Sequence, residues 1–230
     1  MSRTVLALGA HIGDMDLTAG PLLATYALNG DSTAIVALTP GERGHPRVAP
    51  AEYKKQKIAE GAAFAEGIGA DFHVFDDQSD GFLTASDELS LRVADLIRRI
   101  KPDVLIAHWP RSIHDDHHHA SVLAERGRFY AGLPMDHELP RHGVSRFLYA
   151  ENWEDADGFT PSVYVPVPEE AFQRWRTAIQ GQAFARGETY GFRYIDYYTA
   201  LMTTRGCLAG HERAVALATH AGGHQVLDLP

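Results

Sequence analysis

Two stretches of this chain gather residues that can hold a metal ion or move a proton. The first is Ala10-His11-Ile12-Gly13-Asp14-Met15-Asp16. The second, His108-Trp109-Pro110-Arg111-Ser112-Ile113-His114-Asp115-Asp116-His117-His118-His119, carries five of the chain's 13 histidines. Two imidazoles and one carboxylate form a standard catalytic zinc set whose fourth position is left to water. Zinc bound there would lower the pKa of its water to about 7 and make hydroxide available at neutral pH. His11 and Asp14 lie three residues apart at a strand-to-helix turn, where both can bend toward one point, and His117 is the best third ligand. Iron, manganese or cobalt would also suit these donors. His118 and His119 extend the cluster, and solvent or supporting roles are expected for them. A lone histidine at a strand end is usually satisfied by backbone, so the metal reading rests on the two stretches meeting.

The elements needed to bring them together are legible as alternation. Residues 5–9, 34–38, 72–75 and 104–107 read as short buried strands, and residues 17–29, 51–67 and 86–100 as helices between them. That order predicts an α/β fold: a Rossmann-like, mostly parallel sheet with helices on both faces. In such sheets ligands bind outside the carboxyl ends of the strands. His11, the Thr39-Pro40-Gly41-Glu42-Arg43-Gly44 loop, Asp80-Gly81 and the histidine run all follow strands, so all should share one rim. After residue 119 the pattern weakens. A helix through residue 131, strands at 147–150 and 163–167 and helices at 169–186 and 195–203 are expected, with residues 221–230 a loop or extended arm. No linker forces a boundary, so residues 1–230 read as one domain, 1–130 its core and 131–230 a substrate-side extension.

At these residues the chain resembles the LmbE/PIG-L-like zinc N-deacetylases. That family carries His-Pro-Asp-Asp-x-Glu after its first strand and His-x-Asp-His after a later one; here the positions read His11 to Asp16 and His114-Asp115-Asp116-His117. The Thr39 to Gly44 loop is similar to the family's Thr-x-Gly-Glu-x-Gly. Lys57-Ile58-Ala59-Glu60 followed by Ile68-Gly69 is similar to its Arg-x-x-Glu helix ending in Leu-Gly, and Asp80-Gly81 matches a further loop. The resemblance covers roughly residues 3–130 in order. It implies a zinc-dependent hydrolase that removes an acetyl or other acyl group from an amino sugar or glycosylated small molecule. It also implies His11, Asp14 and His117 as metal ligands. His114 would stabilise the oxyanion or protonate the leaving amine, and Asp116 would orient a histidine. A homo-oligomer is compatible with the resemblance.

Gly13 departs from that pattern. The family's first motif Asp, its usual general base, falls at this position, and glycine cannot take a proton. Ile12 replaces the motif proline, Asp16 stands where Glu is usual, and Gln180 and Gln182 lie where a late family histidine is expected. Asp16, Asp116 or His114 could serve as a relocated base. The alternatives are an ester deacylase, or a family member that binds metal and a small molecule without turnover. A nucleotide-binding module would rest on fold alone. Restoring Gly13→Asp would test whether the site still positions a water.

Other candidates are weaker. Glu42, Arg43 and Arg111 lie in rim loops and could bind substrate hydroxyls, carboxylate or phosphate; equally, they are loop charges. Trp109, Trp153 and the run Tyr190, Phe192, Tyr194, Tyr197, Tyr198 could line a sugar or aromatic site, or pack as core or interface. Asn152-Trp153-Glu154-Asp155 reads as a substrate loop. Gly-x-Ser-x-Gly is absent, which disfavours a serine nucleophile.

Composition sets the bounds. The chain has 230 residues, 45% hydrophobic and 22% charged, enough for a substantial core. Its formal net charge of −9 argues against a nucleic-acid or anionic-membrane partner. Only Cys207 could enter a disulfide, which suits a reducing, cytoplasmic setting. No run is long and apolar enough to span a membrane.

Overall fold

Strand β1 (Thr4–His11) is apolar along nearly its whole length because both of its faces are covered. Val5 and Ala7 enter one core, while Leu6, Leu8 and Ala10 enter the other, the two-residue alternation of a pleated strand. The structure, a computed structural model, describes residues 2–219; the expected C-terminal arm lies outside them.

After β1 come α1 (Asp14–Thr18), α2 (Gly20–Leu28), β2 (Ser32–Thr39), α3 (Pro50–Ile68), β3 (Asp71–Val74), α4 (Asp87–Ile100), β4 (Val104–His108) and α5 (Asp115–Gly132). Then follow β5 (Arg146–Ala150), a short 3-10 turn (Trp153–Asp155), β6 (Val163–Pro166), α6 (Glu169–Ile179), α7 (Tyr194–Ala209) and β7 (Ala214–Thr219). The strands form one sheet in the order β3-β2-β1-β4-β5-β7-β6. The first five run parallel, and β7 pairs antiparallel with both β5 and β6. The sheet is therefore mostly parallel, as expected.

Leu22, Phe64, Trp175 and Tyr198, from α2, α3, α6 and α7, pack in one core; Leu89, Val93, Ile97 and Leu123, from α4 and α5, pack in the other. Helices thus cover both faces. Strand order reverses between β1 and β4, whose carboxyl ends carry His11 and His108. A crevice opens at such a reversal because the connections on either side leave in opposite directions.

Three expectations need correction. The helix predicted over residues 17–29 is two helices that meet at Ala19, the residue capping both. The helix predicted over 169–186 stops at Ile179, and residues 183–190 are turns in which Gly187 takes φ 82°. Strand β7 was not predicted: Ala214-Val215-Ala216-Leu217-Ala218-Thr219 is alanine-rich and weak in β propensity, and pairing on both sides overrides that.

Candidate metal centre

The turn after β1 builds half of the site. The backbone N–H of His11 donates to Asp14 Oδ2 at 2.8 Å, which folds the carboxylate back beside the imidazole. Gly41, in the loop after β2, lies against that ring: a Cβ there would come 3.2 Å from His11 Cβ. The other half is the start of α5. His114 caps the helix, its Nδ1 accepting from the Asp116 N–H at 3.2 Å, and this sets His117 in the first turn. Asp14 Oδ2 then lies 3.3 Å from His11 Nδ1 and 3.5 Å from His117 Nε2. One ligand atom from each of these three residues lies within 4.8 Å of the other two.

Each imidazole is aimed by a carboxylate on its far nitrogen. His11 Nε2 lies 3.1 Å from both Asp116 Oδ2 and Asp80 Oδ1. His117 Nδ1 lies 2.9 Å from Asp155 Oδ1. A histidine that donates one N–H this way presents the other nitrogen's lone pair, as a metal ligand must. The donor types, their convergence and these supports together fit a divalent ion. Two other trios, His11-Asp80-His114 and His108-His117-Asp155, also meet the distance limit. They would use the nitrogens that the carboxylates engage, so the first trio fits best.

His108 was not singled out from the sequence, yet it is fully buried in the site. It stacks on His117 with centroids 4.0 Å apart and reaches Asp155 Oδ2 at 2.7 Å and Asp14 Oδ2 at 3.1 Å. Burial would depress its pKa, but Asp155 and Asp14 outweigh it and hold the group at about 9. The retrievable signal was its place as the last residue of a buried strand beside β1. In His114 burial dominates, and neighbouring His11 and His117 add to it, so its pKa falls. With Nδ1 accepting, neutral His114 carries its proton on Nε2.

His11, Asp14, Asp80, His114 and His117 line a cavity of about 410 Å³. Tyr53, Trp153, Phe184, Tyr190, Tyr194 and Tyr198 give it aromatic walls, so part of the run read as possible lining does line it. Trp109 and Tyr197 do not, and Phe192 stacks behind Trp153. Lys57 is the one Lys or Arg among the lining residues; its Nζ is bonded to the Ile12 carbonyl and lies 3.9 Å from the Phe184 ring centroid. Glu154 also lines the cavity, with Oε2 3.6 Å from His117 Nε2. Burial and then the charge of Asp14 push its pKa up to about 7.

Several sequence candidates lie elsewhere. Asp16 is buried outside the cavity lining and bonded to Gln182, and burial raises its pKa to about 6. The structure thus does not bring Asp16, read from the sequence as a possible base, to the cavity wall. Asp116 accepts from the Gly81 and Leu83 N–H groups as well as meeting His11, and it does not line the cavity. Glu42 accepts from Ser79 Oγ and the Asp80 N–H and ties its loop down. Arg43 lies over Phe82, and Arg111 is exposed beside Asp157. None of these three lines the cavity. His118 bonds to the Pro110 carbonyl at the surface.

Gly13 has φ 114°, and a Cβ built there would lie 2.3 Å from Phe184 Cζ. The space that a side chain at this position would enter holds an aromatic ring.

A protein-family model, PIG-L: GlcNAc-PI de-N-acetylase, matches residues 6–126. The 4-oxalmesaconate hydratase of Pseudomonas putida is 30% identical over 137 residues, 56% of this chain and 53% of the hydratase. The 1D-myo-inositol 2-acetamido-2-deoxy-alpha-D-glucopyranoside deacetylase of Streptomyces avermitilis is 27% identical over 80% of this chain and 69% of that enzyme. The chain thus spans about half the length of the first relative. Among solved structures, GalB, the 4-carboxy-2-hydroxymuconate hydratase of Pseudomonas putida KT2440, superposes with a TM-score of 0.86 at 23% identity, over 99% of this chain and 100% of that one. That likeness speaks to fold.

Proposed function

The chain belongs to the PIG-L (GlcNAc-PI de-N-acetylase) family, and on that premise we propose that it is a metal-dependent hydrolase releasing an acyl group, acetyl first among them, from an uncharged amino sugar or glycosylated small molecule. The observation that carries this reading is the convergence of His11, Asp14 and His117 at an aromatic-walled cavity, with each imidazole aimed by a carboxylate. These three residues would hold the ion, zinc by donor type, and it would supply Lewis acidity and an activated water. His114 offers Nε2–H as a neutral donor to the acyl oxygen where negative charge develops. Trp153, Tyr190 and Tyr194 give flat faces for a sugar ring or aglycone to stack on.

The hydratase relative supports a second reading, addition of water across a conjugated polycarboxylate. Cavity charge favours the first. Asp14, Asp80 and Glu154 line it with Lys57 as the one Lys or Arg, and that ammonium is already bonded to Ile12. A polyanion needs cationic partners to offset its desolvation.

Purified protein should carry about one metal equivalent, His117→Ala much less, and the loaded parent should release acetate from N-acetyl amino sugars or their O-acetyl analogues. Hydration of a conjugated enol polycarboxylate without any acetate release would decide for the second reading. A parent that takes up no metal would end the first.

A further inference from the structure

The base implied by family resemblance is missing at Gly13, and Phe184 fills the space beside it. On the hydrolase reading, another wall is where a group that handles the proton of the attacking water would stand. Among the described residues, four carboxylates besides Asp14 lie near the converging ligands. Asp116 and Asp155 are committed to His11, His108 and His117. Asp80 gives Oδ1 to His11 and Oδ2 to the Arg43 N–H. Glu154 is different: among the described residues its carboxylate accepts no hydrogen bond, and its close contact is Oε2 to His117 Nε2, the nitrogen offered to the ion.

Its backbone is held from several directions. The Glu154 N–H donates to Asn152 Oδ1, which also accepts from the Tyr198 hydroxyl. The Glu154 carbonyl accepts from the Ile113 N–H at 3.1 Å and from Ser112 Oγ, on the loop leading into α5. The next residue, Asp155, grips His108 and His117. One short turn therefore fixes a carboxylate behind the ligand histidine and a second carboxylate in front of it.

We propose that Glu154 is the catalytic carboxylate of this site, standing in from the β5 loop for the side chain absent at position 13. The proposal rests on the hydrolase reading above. As the water oxygen bonds to the acyl carbon, Glu154 Oε2 takes one of its protons. The bond from that carbon to nitrogen or oxygen then breaks, and the same proton passes to the departing amine or alcohol. The acid product keeps the water's oxygen, and Glu154 returns to its starting form.

The test needs no knowledge of the natural substrate. Acetohydroxamic acid loses a proton when it chelates zinc, and a nearby carboxylate can receive it. Zinc affinity by chelator competition and acetohydroxamate affinity by calorimetry are measured on the parent, Glu154→Gln, Glu154→Asp and the exposed control Asp157→Asn. Glu154→Gln should hold zinc as the parent does, yet bind the hydroxamate about tenfold or more weakly, as loss of a charged hydrogen bond implies. Glu154→Asp, which keeps the carboxylate one methylene back, should fall between, and Asp157→Asn should match the parent. Hydroxamate affinity unchanged in both Glu154 variants overturns the proposal and leaves the hydrolase reading standing. A parallel loss of zinc affinity overturns it too, by making Glu154 a ligand. A parent without zinc removes the hydrolase reading itself.

Discussion

Phe184 decides what can be done at position 13. Its ring tip lies 2.3 Å from where a Cβ at Gly13 would stand, and the backbone there has φ 114°. An L side chain meets both obstacles, so putting the family's carboxylate back is not a repair. Gly13→Asp should lower stability by about 1–3 kcal/mol, the range for a strained backbone position and an overpacked contact. Denaturant midpoints measure this, and the double variant with Phe184→Ala separates crowding from backbone strain by recovering only the crowding part. A Gly13→Asp protein as stable as its parent and faster in acetate release would refute that account. Asp155 offers a second residue-scale prediction. It is fully buried and bridges His108 and His117. Asp155→Asn keeps the shape but cannot accept two N–H bonds as a charged group does, and metal affinity should drop about 10–100-fold. Chelator competition reads this directly, and unchanged affinity would mean that the helix alone aims His117.

The rim loops are tied to the helices behind them by individual contacts, and these can be titrated. Asp77, in the loop after β3, meets Arg92 of α4 through both oxygens, at 2.7 and 2.8 Å, and its pKa falls to about 2 through that bonding. A carboxylate depressed in the folded state adds stability above its unfolded pKa of about 3.9 and loses it as pH falls through the folded value. Both side chains are more than a third exposed, so the contribution should stay below about 1 kcal/mol. Asp77→Asn should be slightly less stable than the parent at pH 7, and the two should converge near pH 2; a difference constant with pH would assign the loss to packing. At this scale the sequence was readable wherever burial is two-sided. Residues 5–9, 34–38 and 104–107 carry apolar runs because helices cover both faces of the sheet, and that fixed the rim holding His11 and His117. The second half was less readable for two reasons. Residues 183–190 turn back onto the site, with Gly187 at positive φ, so helical periodicity at 169–179 gave no sign of where to stop. Strand β7 is specified by pairing partners far away in sequence, not by its own residues. Phe184 and Asp155 lie in or next to that part of the chain, and their roles could only come from tertiary structure.

Taken whole, the molecule brings the loops after β1, β2, β3, β4 and β5 to one crevice and sets Asp14, Asp80, Asp116, Glu154 and Asp155 around it. His11 and His108, whose carboxylate partners outweigh burial and raise their pKa values, offset those charges in part. Loops that bring so many charges together should gain stability as those charges are balanced. A bound divalent ion would balance them and would bind the folded chain in preference to the unfolded one. By mass action it should then stabilise the whole fold by about 2.7 kcal/mol at a hundredfold excess over Kd. For a chain of this size each kcal/mol moves Tm by about 2–4 °C, so zinc should raise it by about 5–11 °C and a chelator should reverse the gain. His117→Ala removes one donor and one partner of the buried Asp155, so it should melt below the metal-free parent and respond little to zinc. The same comparison at pH 5 should show a smaller zinc gain in the parent, because ion and protons compete for the same imidazoles and carboxylate. Equal zinc responses in parent and His117→Ala would place any bound ion outside this crevice, and the charges of the five loops would then have to be balanced without it.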